Sequence, residues 1–186
     1  MSGKIVVSVI GAGGKMGTRV TNNLAKHPEA VELLFCENSE AGIAAIKARG
    51  FSTVPAETAV PRADIVVLAI PDVLIKKVSV GIVNMMRPGA TLIILDPAAA
   101  VAKELALRDD CTFVVAHPCH PSWFNDQDTP EARQDFFGGI AGKQDIVMAR
   151  ILGDESRFDD ARKISEWMFA PVGKSFVMGL RDIAFL

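Results

Sequence analysis

The sequence predicts an α/β domain with a doubly wound, mainly parallel sheet of the Rossmann type and helices on both faces. Three observations indicate this fold class. Short apolar runs alternate along the chain with segments of helical periodicity. A glycine-dense stretch follows the first of these runs. Residues 63–70 form an almost unbroken apolar run, which is typical of a strand that is buried on both faces of a sheet.

Each predicted strand is an apolar run bounded by turn-forming residues, and the strands alternate with helical patterns. The predicted strands are 5–10, 31–36, 51–54, 63–70, 91–95, 113–116, 145–152 and 175–178. The predicted helices begin at 16, 40, 73, 97, 156 and 181. Because strands alternate with helices, right-handed crossovers are expected to place most strands parallel to one another.

Two of the helix starts have their own signals. Asp72 is a candidate N-cap for the helix 73–86. Asp96 followed by Pro97 is an N-cap with proline at the first helical position, and the helix is expected to continue to Leu105.

The glycine-dense stretch is the strongest functional signal. Gly11, Gly13 and Gly17, or alternatively Gly11, Gly14 and Gly17, match variants of the dinucleotide-binding turn between a strand and a helix. The first glycine permits the tight turn, the middle ones let a diphosphate approach the backbone, and the last lets helix and strand pack closely. The diphosphate would lie at the positive end of the helix. Taken alone, such a loop is equally compatible with a simple tight turn.

Glu37 supports the nucleotide interpretation. It ends the second predicted strand, twenty residues after Gly17, where an acidic side chain can accept hydrogen bonds from the adenosine ribose hydroxyls. The neighbouring Asn38, Ser39 and Glu40 supply no arginine for a ribose phosphate, so the sequence predicts NAD rather than NADP. The alternative is a surface carboxylate at a strand end.

Composition narrows the class of protein. The chain has 186 residues, a formal net charge of −2 and no basic run, so a nucleic-acid partner is not expected. It has no apolar run of membrane-spanning length and no signal-peptide pattern at its amino end. Its three scattered cysteines are typical of reduced thiols. We therefore expect a cytoplasmic protein with a small-molecule ligand and no membrane partner.

The remaining candidate residues follow the carboxyl ends of predicted strands, where doubly wound sheets bind ligands. The full set predicted to bind the cofactor is Gly11, Ala12, Gly13, Gly14, Lys15, Met16, Gly17, Glu37, Ile70, Pro71, Asp72 and Asp96. His117 directly follows the strand 113–116 and is predicted to accept the hydroxyl proton as hydride leaves the carbon. His120 is predicted to contact the substrate. The alternative is a strand-capping histidine and a solvated one.

A zinc site is the other interpretation of this stretch. His117, Cys119 and His120 are all potential ligands, but their spacing is too compressed for an ordinary structural site and no second ligand pair exists. The alternative is a hard cation held partly by Asp126, Asp128 or Asp135, which the sequence does not indicate, and we therefore predict no metal site.

Residues 11–17, 69–72 and 96–97 resemble the cofactor domain of the 6-phosphogluconate and 3-hydroxyacid dehydrogenase superfamily. Residues 116–121, with Phe124, Asn125 and Asp126, narrow the resemblance to the phosphogluconate dehydrogenase-like group that includes the D-apionate oxidoisomerases. The resemblance covers nearly all of the chain. It implies an NAD-dependent enzyme that oxidises a hydroxyl of a branched sugar acid, after which the α-ketol rearranges as in ketol-acid reductoisomerases.

The resemblance also implies a domain organisation. Members of the group carry a second, helical domain that completes the substrate site and forms a homodimer. We therefore expect residues 1–180 to form the NAD-binding domain and residues 181–186 to begin a helix that leads to the second domain. Two alternatives are another dehydrogenase of the superfamily and a non-catalytic NAD-binding module that senses redox state. The two histidines favour an enzyme, since a sensor needs no proton acceptor.

Overall fold

The computed structural model describes residues 3–119, 127–135 and 140–185, and seven strands in this part of the chain form one sheet. The strands are β1 (Ile5–Ile10), β2 (Val31–Cys36), β3 (Ile65–Leu68), β4 (Thr91–Ile94), β5 (Thr112–Pro118), β6 (Gln144–Leu152) and β7 (Val172–Val177). Their order in the sheet is β2-β1-β3-β4-β5-β6-β7. All neighbouring strands are parallel except β5 and β6. The predicted doubly wound, mainly parallel fold is confirmed.

Helices cover both faces of the sheet. They are α1 (Lys15–Leu24), α2 (Glu40–Ala48), α3 (Ala56–Ala59), α4 (Asp72–Met85), α5 (Ala98–Val101), α6 (Pro130–Gln134), α7 (Glu155–Met168) and α8 (Leu180–Ile183), with a 3-10 helix at Val60–Arg62. Helices α1 and α7 contribute to one apolar core, and α4, α5 and α8 contribute to the other. No helix in the ranges described above is long and apolar enough to cross a bilayer.

Successive side chains of the central strands point alternately into the two cores. In β3, Ile65 and Val67 join the core under α1 and α7, whereas Val66 and Leu68 join the core under α4. All four side chains are almost fully buried. Because successive side chains of a strand point to opposite faces, a strand covered on both sides is apolar at every position. This explains the unbroken apolar run in the sequence.

Two predicted elements differ in the structure. Residues 51–54 form no full strand, since Thr53 makes only an isolated bridge to Phe35. The helix expected up to Leu105 is the single turn α5. It ends because Lys103 adopts a left-handed backbone conformation with φ of 58°. The amides of Glu104 and Leu105 then donate to the carbonyl oxygen of Ala99, which closes the turn.

The helix starts are also shifted. Asp72 is the first residue of α4, and Pro71 takes the cap position, which has no side-chain capping hydrogen bond. Pro97 occupies the cap position of α5 instead of the first helical position. The carboxylate of Asp96 still accepts a hydrogen bond from the amide of Ala98 at 2.8 Å. Asp96 therefore pairs one of the free amides at the start of α5, although it lies one residue before the cap position.

The switch in strand order sets the position of the site. The chain passes from β1 to β2 on one side and then returns to β3 on the other side of β1. A crevice therefore opens beyond the carboxyl ends of β1 and β3. Because β6 is antiparallel to β5, the connection between these two strands, residues 119–143, begins and ends at the same sheet edge.

Candidate cofactor and catalytic site

The turn after β1 is built by two glycines that no other residue can replace without strain. Gly11 has a φ of 81°, and a Cβ there would lie 2.6 Å from the carbonyl oxygen of Ala69. At Gly17, in the first turn of α1, a Cβ would lie 2.0 Å from the carbonyl oxygen of Gly11. These glycines therefore let β1, β3 and α1 converge closely at the crevice.

Gly13 and Gly14 differ in what surrounds them. A Cβ at Gly13 would lie 2.4 Å from the Cα atom of Gly42 in α2, so Gly13 is needed for packing within the protein. A Cβ at Gly14 would make only an ordinary contact, 3.4 Å from the carbonyl oxygen of Gly11. Gly14 is exposed and adopts an extended conformation that any residue can take. Its open side is the cradle in which a diphosphate could approach the backbone.

Helix α1 supplies donors at this cradle. The amide of Thr18 makes the first intrahelical hydrogen bond, to the carbonyl oxygen of Gly14 at 2.8 Å. The amides in the first turn of a helix point beyond its end, and they carry the positive end of the helix dipole. The amide of Gly14 instead donates to Gly11, which tightens the turn. The loop thus fits the diphosphate of a dinucleotide.

Glu37 lies directly beside this loop. Its Oε2 accepts a hydrogen bond from the amide of Gly13 at 3.0 Å. Its Oε1 accepts from the amides of Asn38 and Ser39 and from the Ser39 hydroxyl, at 2.9 to 3.1 Å. Partial burial opposes ionisation, but the hydrogen bonds from Ser39, Gly13 and Asn38 outweigh it and lower the pKa of Glu37. The carboxylate is therefore charged and held at the edge of the crevice.

Arg49 is a residue that sequence reasoning missed. It follows α2, and its guanidinium lies over the rings of Phe35 and Phe51, 5.8 and 5.9 Å from their centroids. The same group donates to the carbonyl oxygen of Ala12 at 3.3 Å and to the Thr21 hydroxyl at 2.9 Å. Arg49 thus ties α2 to the glycine loop and α1. No sequence motif marks it.

On the other side of the crevice, His117 has a defined tautomer. Its Nδ1 lies 2.8 Å from the carbonyl oxygen of Leu95, which can only accept a hydrogen bond. Nδ1 therefore carries the proton, and in the neutral ring Nε2 is a hydrogen-bond acceptor. An Asp96 carboxylate oxygen lies 3.9 Å from the same Nδ1. His117 belongs to β5, where it pairs with Val147, and does not follow the strand as expected.

Asp72, at the start of α4, lies close enough to Asp96 and His117 for their charges to affect its pKa. Desolvation is the larger cause that raises its pKa, and the negative charge of Asp96 adds to it. His117 acts in the opposite direction. Three predicted residues from three different strand ends, Asp72, Asp96 and His117, are thus brought together. The structure places Ile70 against Gly11 and leaves Pro71 exposed beside it. His120 lies outside the described residues.

The described parts of the β5–β6 connection are internally braced. The side-chain amide of Gln127, which is buried, donates to the carbonyl oxygen of Lys143 at 3.1 Å and accepts from its amide at 3.0 Å. One carboxylate oxygen of Asp135 accepts hydrogen bonds from three successive amides, those of residues 140–142, at 2.8 to 3.0 Å. Within the described ranges, no three His, Cys, Asp or Glu side chains are grouped so that they could hold a metal ion.

Two known families match the chain. Residues 1–122 match the family described as the NADPH-binding domain of acetohydroxy acid isomeroreductase, and residues 125–186 match the carboxy-terminal domain of phosphogluconate dehydrogenase (decarboxylating). The first of these matches covers more than half of the chain. Both agree with the superfamily resemblance that residues 11–17 and 69–72 indicate.

Similarity to curated relatives narrows the family to one group of proteins. A D-apionate oxidoisomerase from Blautia hydrogenotrophica is 62% identical over 184 residues, which is 99% of this chain and 64% of the relative. A protein of the same name from Cupriavidus necator is 41% identical over 97% of this chain and 65% of the relative. The chain therefore spans just under two thirds of the length of these proteins. The predicted resemblance to this group is confirmed.

Solved structures also show similarity to this chain. A Cupriavidus necator protein, described as a semialdehyde dehydrogenase NAD-binding protein in complex with calcium and NAD, superposes with a TM-score of 0.93 at 40% identity. The superposition covers 98% of this chain and 66% of that one. An NADH-preferring ketol-acid reductoisomerase shares the fold, with a TM-score of 0.69 at 17% identity.

Proposed function

The chain belongs to the family described as the NADPH-binding domain of acetohydroxy acid isomeroreductase, within the group that contains the D-apionate oxidoisomerases, and we propose that it binds NAD and oxidises a sugar acid. The substrate is a small branched sugar acid of the D-apionate type, and oxidation of one hydroxyl is coupled to rearrangement of the resulting ketol. The observation that carries this proposal is the fixed tautomer of His117 at the crevice.

NAD fits the residues of the crevice better than NADP. Gly14 leaves the space over the loop open, and the first turn of α1 offers amides to a diphosphate. The ionised Glu37 carboxylate favours free ribose hydroxyls and repels a ribose phosphate. The family description names NADPH, whereas the acidic Glu37 directly after β2 favours NAD in this chain. When bound, the cofactor supplies the acceptor for hydride.

The residues of this chain handle the proton. His117 accepts the hydroxyl proton at Nε2 while Nδ1 remains bonded to the Leu95 carbonyl oxygen, so the ring does not need to turn. The imidazolium that forms lies 3.9 Å from the Asp96 carboxylate, which stabilises its positive charge. Asp96 is itself fixed by the amide of Ala98. His120 is proposed to contact the substrate.

We propose that the full-length protein is a cytoplasmic homodimer. Large apolar side chains are exposed on the edge strand β7, where Phe176 is 42% and Val177 54% exposed, and Phe185 beyond α8 is 89% exposed. Such surfaces are typical of chains that associate. Light scattering of the full-length protein measures the oligomeric state directly.

The function is tested with the full-length protein, NAD and a panel of branched and linear sugar acids. We expect reduction of NAD, followed by absorbance, with D-apionate and little with linear sugar acids. The rearranged product is identified by NMR. NAD binding without reduction of the cofactor by any sugar acid would favour the redox-sensing alternative.

A further inference from the structure

Gly42, in the first turn of α2, contacts both halves of the cofactor site. Its Cα atom is the atom that a Cβ at Gly13 would meet at 2.4 Å. A Cβ at Gly42 itself would lie 2.6 Å from Cδ and 2.7 Å from Oε2 of Glu37. The backbone of Gly42 is therefore packed between the glycine loop and the Glu37 carboxylate.

Hydrogen bonds lock this arrangement. The amide of Gly42 donates to Oγ of Ser39 at 3.1 Å, and the same hydroxyl donates to Oε1 of Glu37 at 3.1 Å. The other carboxylate oxygen accepts from Gly13. Ser39 and Gly13 thus hold Glu37 from two sides, and Gly42 leaves just enough space for the carboxylate between them.

We propose that Gly42 is a positioning residue that determines the preference for NAD over NADP by fixing Glu37 against the glycine loop. This inference rests on the proposed binding of NAD and on Glu37 as its ribose partner. Glycine inside a helix lowers helix stability relative to alanine, so its presence calls for a packing reason. The space that Glu37 occupies is that reason.

An alanine at position 42 is expected to move Glu37 without unfolding α2. The atoms that the new methyl group would meet are the far end of a flexible side chain, which can rotate away. Rotation breaks the hydrogen bond from Gly13 and withdraws the carboxylate from the ribose. The negative charge of Glu37, which repels a ribose phosphate, then lies further from the ribose site.

The test measures the affinity of the full-length Gly42→Ala variant for NAD and for NADP by calorimetry. NAD affinity is expected to fall about tenfold, the loss expected for one hydrogen bond to a charged group, while NADP affinity stays the same or rises. Gly81→Ala is the matched control, because Gly81 also lies in a helix and a Cβ there would meet nothing within 4 Å. It is expected to leave both affinities unchanged.

A double-mutant cycle separates positioning from general damage. If Gly42 acts through Glu37, Gly42→Ala has no further effect in a Glu37→Ala background. Equal losses for NAD and NADP, or the same loss in that background, would overturn the role of Gly42. If Glu37→Ala alone changes neither affinity, the ribose assignment in the proposed function is wrong.

Ser39→Ala examines the same arrangement without adding a methyl group, should Gly42→Ala fail to fold. It removes the hydroxyl that holds both Gly42 and Glu37, and NAD affinity is expected to fall by a smaller factor with NADP unaffected. An unchanged ratio of the two affinities would contradict the proposal.

Discussion

The Nδ1 atom of His117 lies 2.8 Å from the carbonyl oxygen of Leu95, and this contact joins β5 to the residue that follows β4. It fixes the ring of a histidine whose backbone already belongs to the sheet. A general base must be held within hydrogen-bonding reach of the proton that it takes. The strand β5 and the residue that follows β4 provide this rigidity.

Replacing His117 with alanine in the full-length enzyme is expected to lower turnover about 10²- to 10⁴-fold, the usual contribution of a general base. NAD affinity is expected to stay nearly intact, because the polar contacts of His117 among the described residues are with Leu95 and Asp96, outside the glycine loop. Steady-state kinetics and calorimetry measure the two effects separately. His117→Gln is a useful companion, since it keeps a polar side chain but cannot accept the proton. Near-normal turnover in both variants would place the proton acceptor elsewhere.

His120→Ala is expected to behave differently from His117→Ala. If His120 contacts a carboxylate or a second hydroxyl of the substrate, its loss weakens ground-state and transition-state binding alike. The Michaelis constant for the sugar acid then rises, with kcat changed much less. Initial rates over a range of substrate concentrations distinguish the two variants. A fall in kcat comparable to that of His117→Ala would reverse the two roles.

The sequence predicts the fold because its signals are local. The apolar run at 63–70 and the glycine turn after Ile10 each reflect a single element and its immediate neighbours. Topology rules then place the predicted residues at one sheet edge without any knowledge of contacts. That edge is where the structure brings Asp72, Asp96 and His117 together.

What the sequence could not predict depends on contacts between distant residues. The bond from His117 to Leu95 and the close approach of Gly13 to Gly42 leave no periodic pattern. The end of α5 depends on one left-handed residue, Lys103, for which no local signal exists. Gly42 carries a sequence signal, since a glycine within a helical pattern often has a packing or functional reason, but Gly81 in α4 carries the same signal without such contacts.

Gly14→Val is expected to abolish NAD binding while the domain stays folded. A side chain at this position has room within the protein and takes an ordinary backbone conformation, but it fills the space over the loop. Calorimetry measures NAD binding, and thermal unfolding without cofactor measures the fold. Normal NAD affinity in this variant would mean that the loop is only a tight turn.

Gly17→Ala is expected to act on stability first. Its Cβ would lie 2.0 Å from the carbonyl oxygen of Gly11, so α1 must move away from β1. Overpacking of this kind costs about 1–3 kcal/mol and occasionally more. Chemical denaturation without cofactor is expected to show the loss in Gly17→Ala but much less in Gly14→Val. Equal stability of the two variants would contradict the packing role of Gly17.

The last prediction concerns the pH dependence of stability through Asp135. Desolvation tends to raise the pKa of Asp135, but hydrogen bonds from the amides of Ile140, Gly142 and Ala141 outweigh it, and the charge of Arg19 adds to their effect. The net pKa is lowered. A carboxylate whose pKa is lower in the folded state stabilises that state above its ordinary pKa of about 3.9, and this stabilisation disappears as the pH falls through the folded value.

Asp135→Asn is therefore expected to reduce the free energy of unfolding by about 1–2 kcal/mol at neutral pH, with solvent screening taken into account. The difference from wild type is expected to shrink below about pH 4 and to vanish in stronger acid. Asp128→Asn is the control, because the Asp128 side chain is 78% exposed and its ion pair among the described residues is with the exposed Lys143. Denaturant titrations of the three proteins over a range of pH give the comparison. If the difference in free energy of unfolding between Asp135→Asn and wild type does not change with pH, the charge of Asp135 does not contribute to stability and this prediction is wrong.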